Sequence, residues 1–173
     1  IEWMLQNDIR PVLYYCNPNI FPEEEYLIRK TECIRYAQLL GLEIIDEDYN
    51  HPSWASSVQG HEQAPERGSR CLVCFRYRLL RAAECCKRLN IPVFTTTLAS
   101  SRWKSLEQIS EAGHWAAEQV GGVEFDDRNW RKGGLQQRRN ELLRVNNFYN
   151  QVYCGCEYSL NARLPYMQKP ENR

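Results

Sequence analysis

Apolar and polar positions come in blocks along this chain, and the period of the blocks changes in a regular order. Val12-Leu-Tyr-Tyr-Cys16 is continuously apolar and β-rich, as expected of a buried parallel strand. Asn17-Pro18-Asn19 predicts a turn. Pro22 followed by Glu23–Glu25 predicts a helix start, because proline fits a first turn and acidic side chains suit its dipole. Tyr26, Leu27, Cys33, Ala37 and Leu40 recur at roughly helical spacing until Gly41 stops the run. Leu42 to Asp46 predicts a second strand, and Glu47 to Gly68 a long polar loop. Loops of that length inside a domain are usually functional or disordered.

Further along, a helix is expected over Ser69 to Leu89 and a third strand over Pro92 to Thr97. The hydroxyl-rich segment Thr95 to Ser101 follows it as a loop, then a helix from Ser105 to Glu118. A short strand at Val123–Phe125, a loop over Asp127–Gly133 and a helix from Leu135 to Val145 complete the series. Ile1, Met4 and Leu5 read as the latter half of a helix, and the chain opens on Ile, so a first strand upstream of Ile1 is expected to be missing. The tail, residues 164–173, carries Pro165, Lys169, Pro170 and Glu171 and is expected to be flexible. Repeated β-loop-α units imply an α/β fold: a three-layer, mostly parallel, Rossmann-like sheet with helices on both faces, in a single domain over residues 1–163. Ligands bind such folds at the C-terminal strand ends, where the regions of Asp48, Cys71 and Thr97 are expected to meet.

Composition narrows the class. At 173 residues the chain fits one domain with a real core. It has no apolar run of about eighteen residues and no basic-then-apolar leader over Ile1 to Arg10, so the expectation is a cytoplasmic protein with no membrane partner. Lys plus Arg and Asp plus Glu both number 22, so net charge does not point to nucleic acid. Basic stretches do exist: Arg67, Arg70, Arg76, Arg78 and Arg81 lie together, and so do Arg128, Arg131, Lys132, Arg138, Arg139 and Arg144. Such patches bind phosphates or are simply solvated. Eight cysteines in a chain this long, clustered rather than spread, fit a reducing compartment and thiols used for metal or catalysis.

Cys71-Leu-Val-Cys74 opens a helix, and a three-residue step puts both thiols on one face. The helix dipole and the surrounding arginines are expected to favour thiolate. A C-x-x-C pair alone does not separate zinc, an iron–sulfur cluster and a redox disulfide. Cys85 and Cys86 lie about 16 Å further along the helix and, with Cys33 and Cys16, read as packing. Cys154-Gly-Cys156 suits a strained, easily opened disulfide. A closed four-cysteine zinc site using both motifs is the competing arrangement. His51, His61 and His114 show no metal spacing, and no Walker-type, G-x-S-x-G or G-x-G-x-x-G motif is present.

Five strings in order carry a resemblance: Tyr15-Cys-Asn-Pro-Asn-Ile20, Glu66-Arg-Gly-Ser-Arg-Cys-Leu-Val-Cys-Phe75, Phe94-Thr-Thr-Thr-Leu98, Trp130-Arg-Lys-Gly-Gly134 and Tyr153-Cys-Gly-Cys-Glu-Tyr-Ser-Leu160. From Val12 to Leu160 the chain resembles the cobalamin-independent epoxyqueuosine reductases of the QueH family. The resemblance implies a tRNA-modifying oxidoreductase that converts epoxyqueuosine to queuosine at the wobble position, with an electron donor it does not identify. It implies a 4Fe-4S cluster with Cys71 and Cys74 as one ligand pair, and an additional iron ion with Asp48 as a candidate contact. Cys154 and Cys156 match the family's redox-active disulfide and become the candidate catalytic pair. The family's N-terminal Cys-Cys-x-Pro-Cys segment has no counterpart here, which leaves half a cluster site: either that segment has been removed or left out, or the chain is an inactive fragment. Trp103, Trp130, Tyr149 and Tyr153 are candidate stacking platforms for the anticodon loop, with Arg102, Lys104, Arg131 and Lys132 for its phosphates. The alternative reading is a non-catalytic zinc-binding, RNA-binding domain.

Overall fold

The computed structural model describes residues 1–167. Two β-α-β units are joined through one long helix. In the first, β1 (Leu13–Tyr15) runs parallel to β2 (Ile44–Asp46), in register Leu13 to Ile44 and Tyr15 to Asp46, with α2 (Glu23–Leu39) crossing between them. In the second, β3 (Val93–Phe94) runs parallel to β4 (Glu124–Phe125), and α5 (Leu106–Val120) makes the crossover. The joining helix is α4 (Ser69–Arg88). Short α1 (Glu2–Gln6) precedes the first unit; α6 (Leu135–Val145) and α7 (Glu157–Met167) follow the second.

The expected continuous three-layer sheet is replaced, among the described residues, by two separate two-stranded parallel pairs. Strands two or three residues long offer few ladder positions, and arginines of α4 occupy the exit of β1 instead of another strand. Arg78 donates to the Cys16 carbonyl at 3.1 Å and to Asn17 Oδ1, and Arg81 pairs with Glu47 just past β2. The α/β class and the parallel pairing stand as expected.

The main core lies in the second unit, where Phe75, Leu79 and Ala83 of α4 meet Phe94, Phe125 and Ile109, Ala112 and Ala116 of α5. Gly113 lets α5 approach β4 closely, since a Cβ there would come within 2.2 Å of the Phe125 ring. Tyr15, Ile20 and Tyr26 form a second cluster in the first unit.

The expected loop from Glu47 to Gly68 contains α3 (His51–Ser57). Asn50 caps it by accepting from the Ser53 N–H at 3.1 Å, and Pro52 occupies its first turn. Its Trp54 is fully buried with Val58 and Cys74 of α4, the third cluster. Of the expected tail, Leu164, Pro165 and Tyr166 belong to α7, whereas Lys169, Pro170 and Glu171 lie outside the described residues. No helix among the described residues is long and apolar enough to cross a membrane.

Candidate active site

The first turn of α4 carries Cys71 and Cys74. The Arg67 backbone N–H donates to Cys71 Sγ at 3.3 Å, while Cys74 is buried against Trp54. The second thiol pair arrives from the turn that starts α7. Cys156 and Tyr158 pack on the same cluster as Cys74, and both Cys154 and Cys156 act electrostatically on Cys71 and Cys74. Segments about eighty residues apart in sequence thus bring four sulfurs into one region.

Burial pushes the Cys71 thiol up and holds Cys74 at about 11. This reverses the expected thiolate character of the C-x-x-C pair. The arginines that were to supply it are committed to other groups. Arg70 donates to the Glu62 and Ala64 carbonyls and lies 4.6 Å over the Tyr158 ring. Arg76 pairs with Glu111 at 2.5 Å, and Arg67 donates through its side chain to the Trp103 and Arg102 carbonyls. The Arg70 charge lowers Cys71 and the Arg78 charge lowers Cys74, each less than desolvation raises it.

The cation at a sulfur is Lys104, whose Nζ donates to Cys154 Sγ at 3.0 Å. Its loop is clamped from two directions. Arg67 takes the Trp103 carbonyl at 2.9 Å and the Arg102 carbonyl at 3.2 Å; Arg131 takes those of Ala99 at 3.3 Å and Lys104 at 3.0 Å. Burial, and then the nearby charge of Arg67, lower the Arg131 pKa. Arg131 and Lys104, assigned to phosphates from charge pattern alone, instead form the wall of the thiol site. Lys132 and Arg102 are exposed.

The Cys-Gly-Cys turn is held by α2. Arg29, paired with Glu25 at 2.7 Å, donates to the Cys154 carbonyl at 3.0 Å and the Tyr153 carbonyl at 3.2 Å. The Phe21 N–H donates to the Gly155 carbonyl at 2.8 Å, and the Tyr153 hydroxyl to the Phe21 carbonyl. Gly155 has φ +135, and a Cβ there would press on Ile20 and Arg29 at 3.1 Å, so the residue between the thiols must be glycine. Ser159 Oγ lies 3.4 Å from Cys156 Sγ. Cys154 and Cys156 are both free thiols in this arrangement. Cys154 faces a cavity of about 440 Å³.

Among the described residues, no three His, Cys, Asp or Glu side chains converge as a metal-binding group. Asp48 is exposed beyond β2, where its charge acts on Tyr26, and it does not join Cys71 and Cys74 in such a group. Cys16 and Cys85 are buried, and Cys33 and Cys86 half-buried, in keeping with packing roles. The buried Trp54 Nε1 is turned toward Cys74 and acts on its sulfur as a weak donor, lowering its pKa, and has no closer hydrogen-bond partner among the described residues. Hydrogen bonds to sulfur are among the features by which proteins tune a cluster. Of the four aromatic candidates Trp103 is the most open, 61% exposed with the Arg102 guanidinium 4.8 Å above its ring, and Tyr149 is 40% exposed. Trp130 stacks edge-on against Trp3 and donates to Thr95, Tyr149 donates to Glu25 at 2.7 Å, and Tyr153 is buried.

The family model described as "Epoxyqueuosine reductase QueH" matches residues 1–162. The chain belongs to the epoxyqueuosine reductase QueH family. Among curated relatives of that name, the one from Haemophilus influenzae is 47% identical over 160 residues, covering 92% of this chain and 65% of the relative. The Histophilus somni relative is 49% identical over 148 residues, covering 86% and 61%. The one from Acinetobacter baylyi is 42% identical over 160 residues, covering 92% and 73%. The chain therefore spans less than two thirds of the first two QueH proteins. Sequence reasoning found both thiol pairs but missed Trp54, Arg29 and Asn19. An Asn-His-Pro-Ser cap followed by Trp54 and Val58 at helical spacing was the available signal for the first. Asn19 lies inside the Tyr15–Ile20 string without its side chain having been singled out, and nothing local in sequence marks Arg29.

Proposed function

We propose that this chain forms the reducing centre of an enzyme that converts epoxyqueuosine to queuosine in the anticodon loop of tRNA, in the cytoplasm. The observation that carries it is the convergence of two thiol pairs, with Lys104 on one sulfur, beside an open cavity. Turning an epoxide into an alkene takes up a pair of electrons and two protons and releases water. Closing a Cys154–Cys156 disulfide releases the same pair and the same protons, so the two half-reactions balance. An external electron donor then reopens the disulfide.

Each side chain has its part. Lys104 holds the Cys154 sulfur and stands as a proton donor next to it. Arg29 and Gly155 fix the turn so that both thiols reach one site. Cys71 and Cys74, with the Trp54 indole N–H, would hold one side of a 4Fe-4S cluster, for which these described residues supply one ligand pair. Such a cluster supplies one-electron transfers. Trp103 with Arg102 would stack an unpaired base of the loop, and Lys132 would meet a phosphate.

Complementation tests this. In bacteria lacking their own epoxyqueuosine reductase, expression of this chain within its natural polypeptide should convert tRNA epoxyqueuosine to queuosine, read by nucleoside mass spectrometry. Cys154→Ser and Cys156→Ser should abolish conversion while leaving bound iron unchanged. Trp103→Ala should weaken tRNA binding by about 1–3 kcal/mol. Conversion undiminished in both serine variants would refute the dithiol reading.

A further inference from the structure

The cavity beside Cys154 contains a polar atom that the fold leaves without a partner. Tyr15, Asn17, Asn19, Arg78, Thr97 and Cys154 are among its lining residues. Asn19 is only 2% exposed, yet among the described residues its Oδ1 accepts from no donor. Buried amide oxygens are almost always satisfied, so an exception on a cavity wall calls for a donor from outside the fold.

Two neighbouring arginines and two backbone N–H groups are already engaged. Arg78 is held by the Cys16 carbonyl and Asn17 Oδ1, and Arg29 by Glu25 and the carbonyls of Tyr153 and Cys154. The Ile20 N–H goes to the Asn17 carbonyl at 3.1 Å and the Phe21 N–H to Gly155. The Asn19 amide also stands against the reactive turn, since a Cβ on Gly155 would lie 3.2 Å from Asn19 Nδ2. A ligand group bonded to Asn19 is therefore next to the dithiol.

We propose that this cavity receives the epoxide-bearing five-membered ring of the modified base, and that Asn19 Oδ1 accepts a hydrogen bond from a hydroxyl of that ring. The proposal rests on the reductase reading. The epoxide must approach the thiols to be reduced, so hydroxyls on the same ring come within reach of the amide at the same turn. Asn19 then orients the ring without taking part in electron transfer. A substrate lacking the ring leaves the amide oxygen unpaired, which makes Asn19 a determinant of specificity.

Protection of Cys154 from alkylation tests this without turnover. The reduced protein is treated with iodoacetamide, and modification of Cys154 is followed by peptide mass spectrometry. Epoxyqueuosine nucleoside should slow it, whereas 7-aminomethyl-7-deazaguanosine, which lacks the ring, should not. In Asn19→Ala, about tenfold more epoxyqueuosine should be needed for equal protection, measured against that variant's own rate without nucleoside. Equal protection by both nucleosides overturns the ring assignment. Undiminished protection in Asn19→Ala overturns the role of Asn19 and leaves the reductase reading intact. No protection in a protein that still reduces tRNA overturns the cavity assignment alone, while loss of both also removes the reductase reading. If Asn19→Ala shows no cooperative melting, the two nucleosides on the unmodified protein decide the matter.

Discussion

Lys104 touches a sulfur because two arginines hold the four carbonyls around it, and the charge pattern of the sequence could not reveal that. A basic stretch reads identically whether its side chains face phosphates or fold inward. Arg131 folds inward: its guanidinium ends on Ala99 and Lys104 carbonyls. The thiol pairs themselves were legible, since their spacing is local. Their protonation was not, because burial is a property of the packed α3–α4 cluster, and it outweighs the helix dipole at Cys71 and Cys74. A prediction follows for the reduced, metal-free protein near neutral pH. Removing the Lys104 hydrogen bond in Lys104→Met should slow iodoacetamide modification of Cys154, because the ammonium group no longer steadies the sulfur as it attacks. Arg131→Ala should act in the same direction by loosening the loop. Site-resolved mass spectrometry reads both, and an unchanged Cys154 rate in Lys104→Met would remove the lysine from the site.

Elements were read from sequence where periodicity was long and strong. α2, α4, α5 and α6 fall where apolar spacing and caps put them, within two residues at each end. α3 was lost because seven helical residues hold too few apolar positions to establish a period, although its cap and Pro52 were visible. α7 was lost for a similar reason, with its turn chemistry hidden between two cysteines. The continuous sheet was over-read: short β-rich runs specify strands but not how many join. At the α5–β4 contact, helix propensity and packing make opposite demands. Alanine is favoured over glycine in a helix by about 1 kcal/mol, while overpacking a core typically costs about 1–3 kcal/mol. With a Cβ meeting the Phe125 ring at 2.2 Å, packing wins, and Gly113→Ala should lower the urea midpoint with little change in m. A raised midpoint would show that α5 can lift off β4 without loss.

Across the whole molecule, thiols dispersed through both units make folding sensitive to alkali. Burial pushes Cys33 and Cys86 up to about 11 from an ordinary value of 9.0. The unfolded chain therefore holds fewer protons than the folded one between those values, and stability must fall as pH rises through that window. Below pH 9 this contribution is fully present. Urea titrations at pH 8 and pH 10.5 should show the loss, and Cys33→Ala with Cys86→Ala should reduce it; a parallel slope in the double variant would assign the effect to the other thiols that burial raises, Cys16, Cys71 and Cys74, and to the tyrosines. The anchoring of the Cys-Gly-Cys turn also has a consequence for how the protein is made. Arg29 grips a carbonyl that lies 125 residues downstream. On the ribosome, α2, Cys71, Cys74 and the Lys104 loop all emerge before either sulfur of that turn does. The nascent chain thus presents the cradle first, and the turn docks on Arg29 and Lys104 only once the residues leading into α7 have emerged.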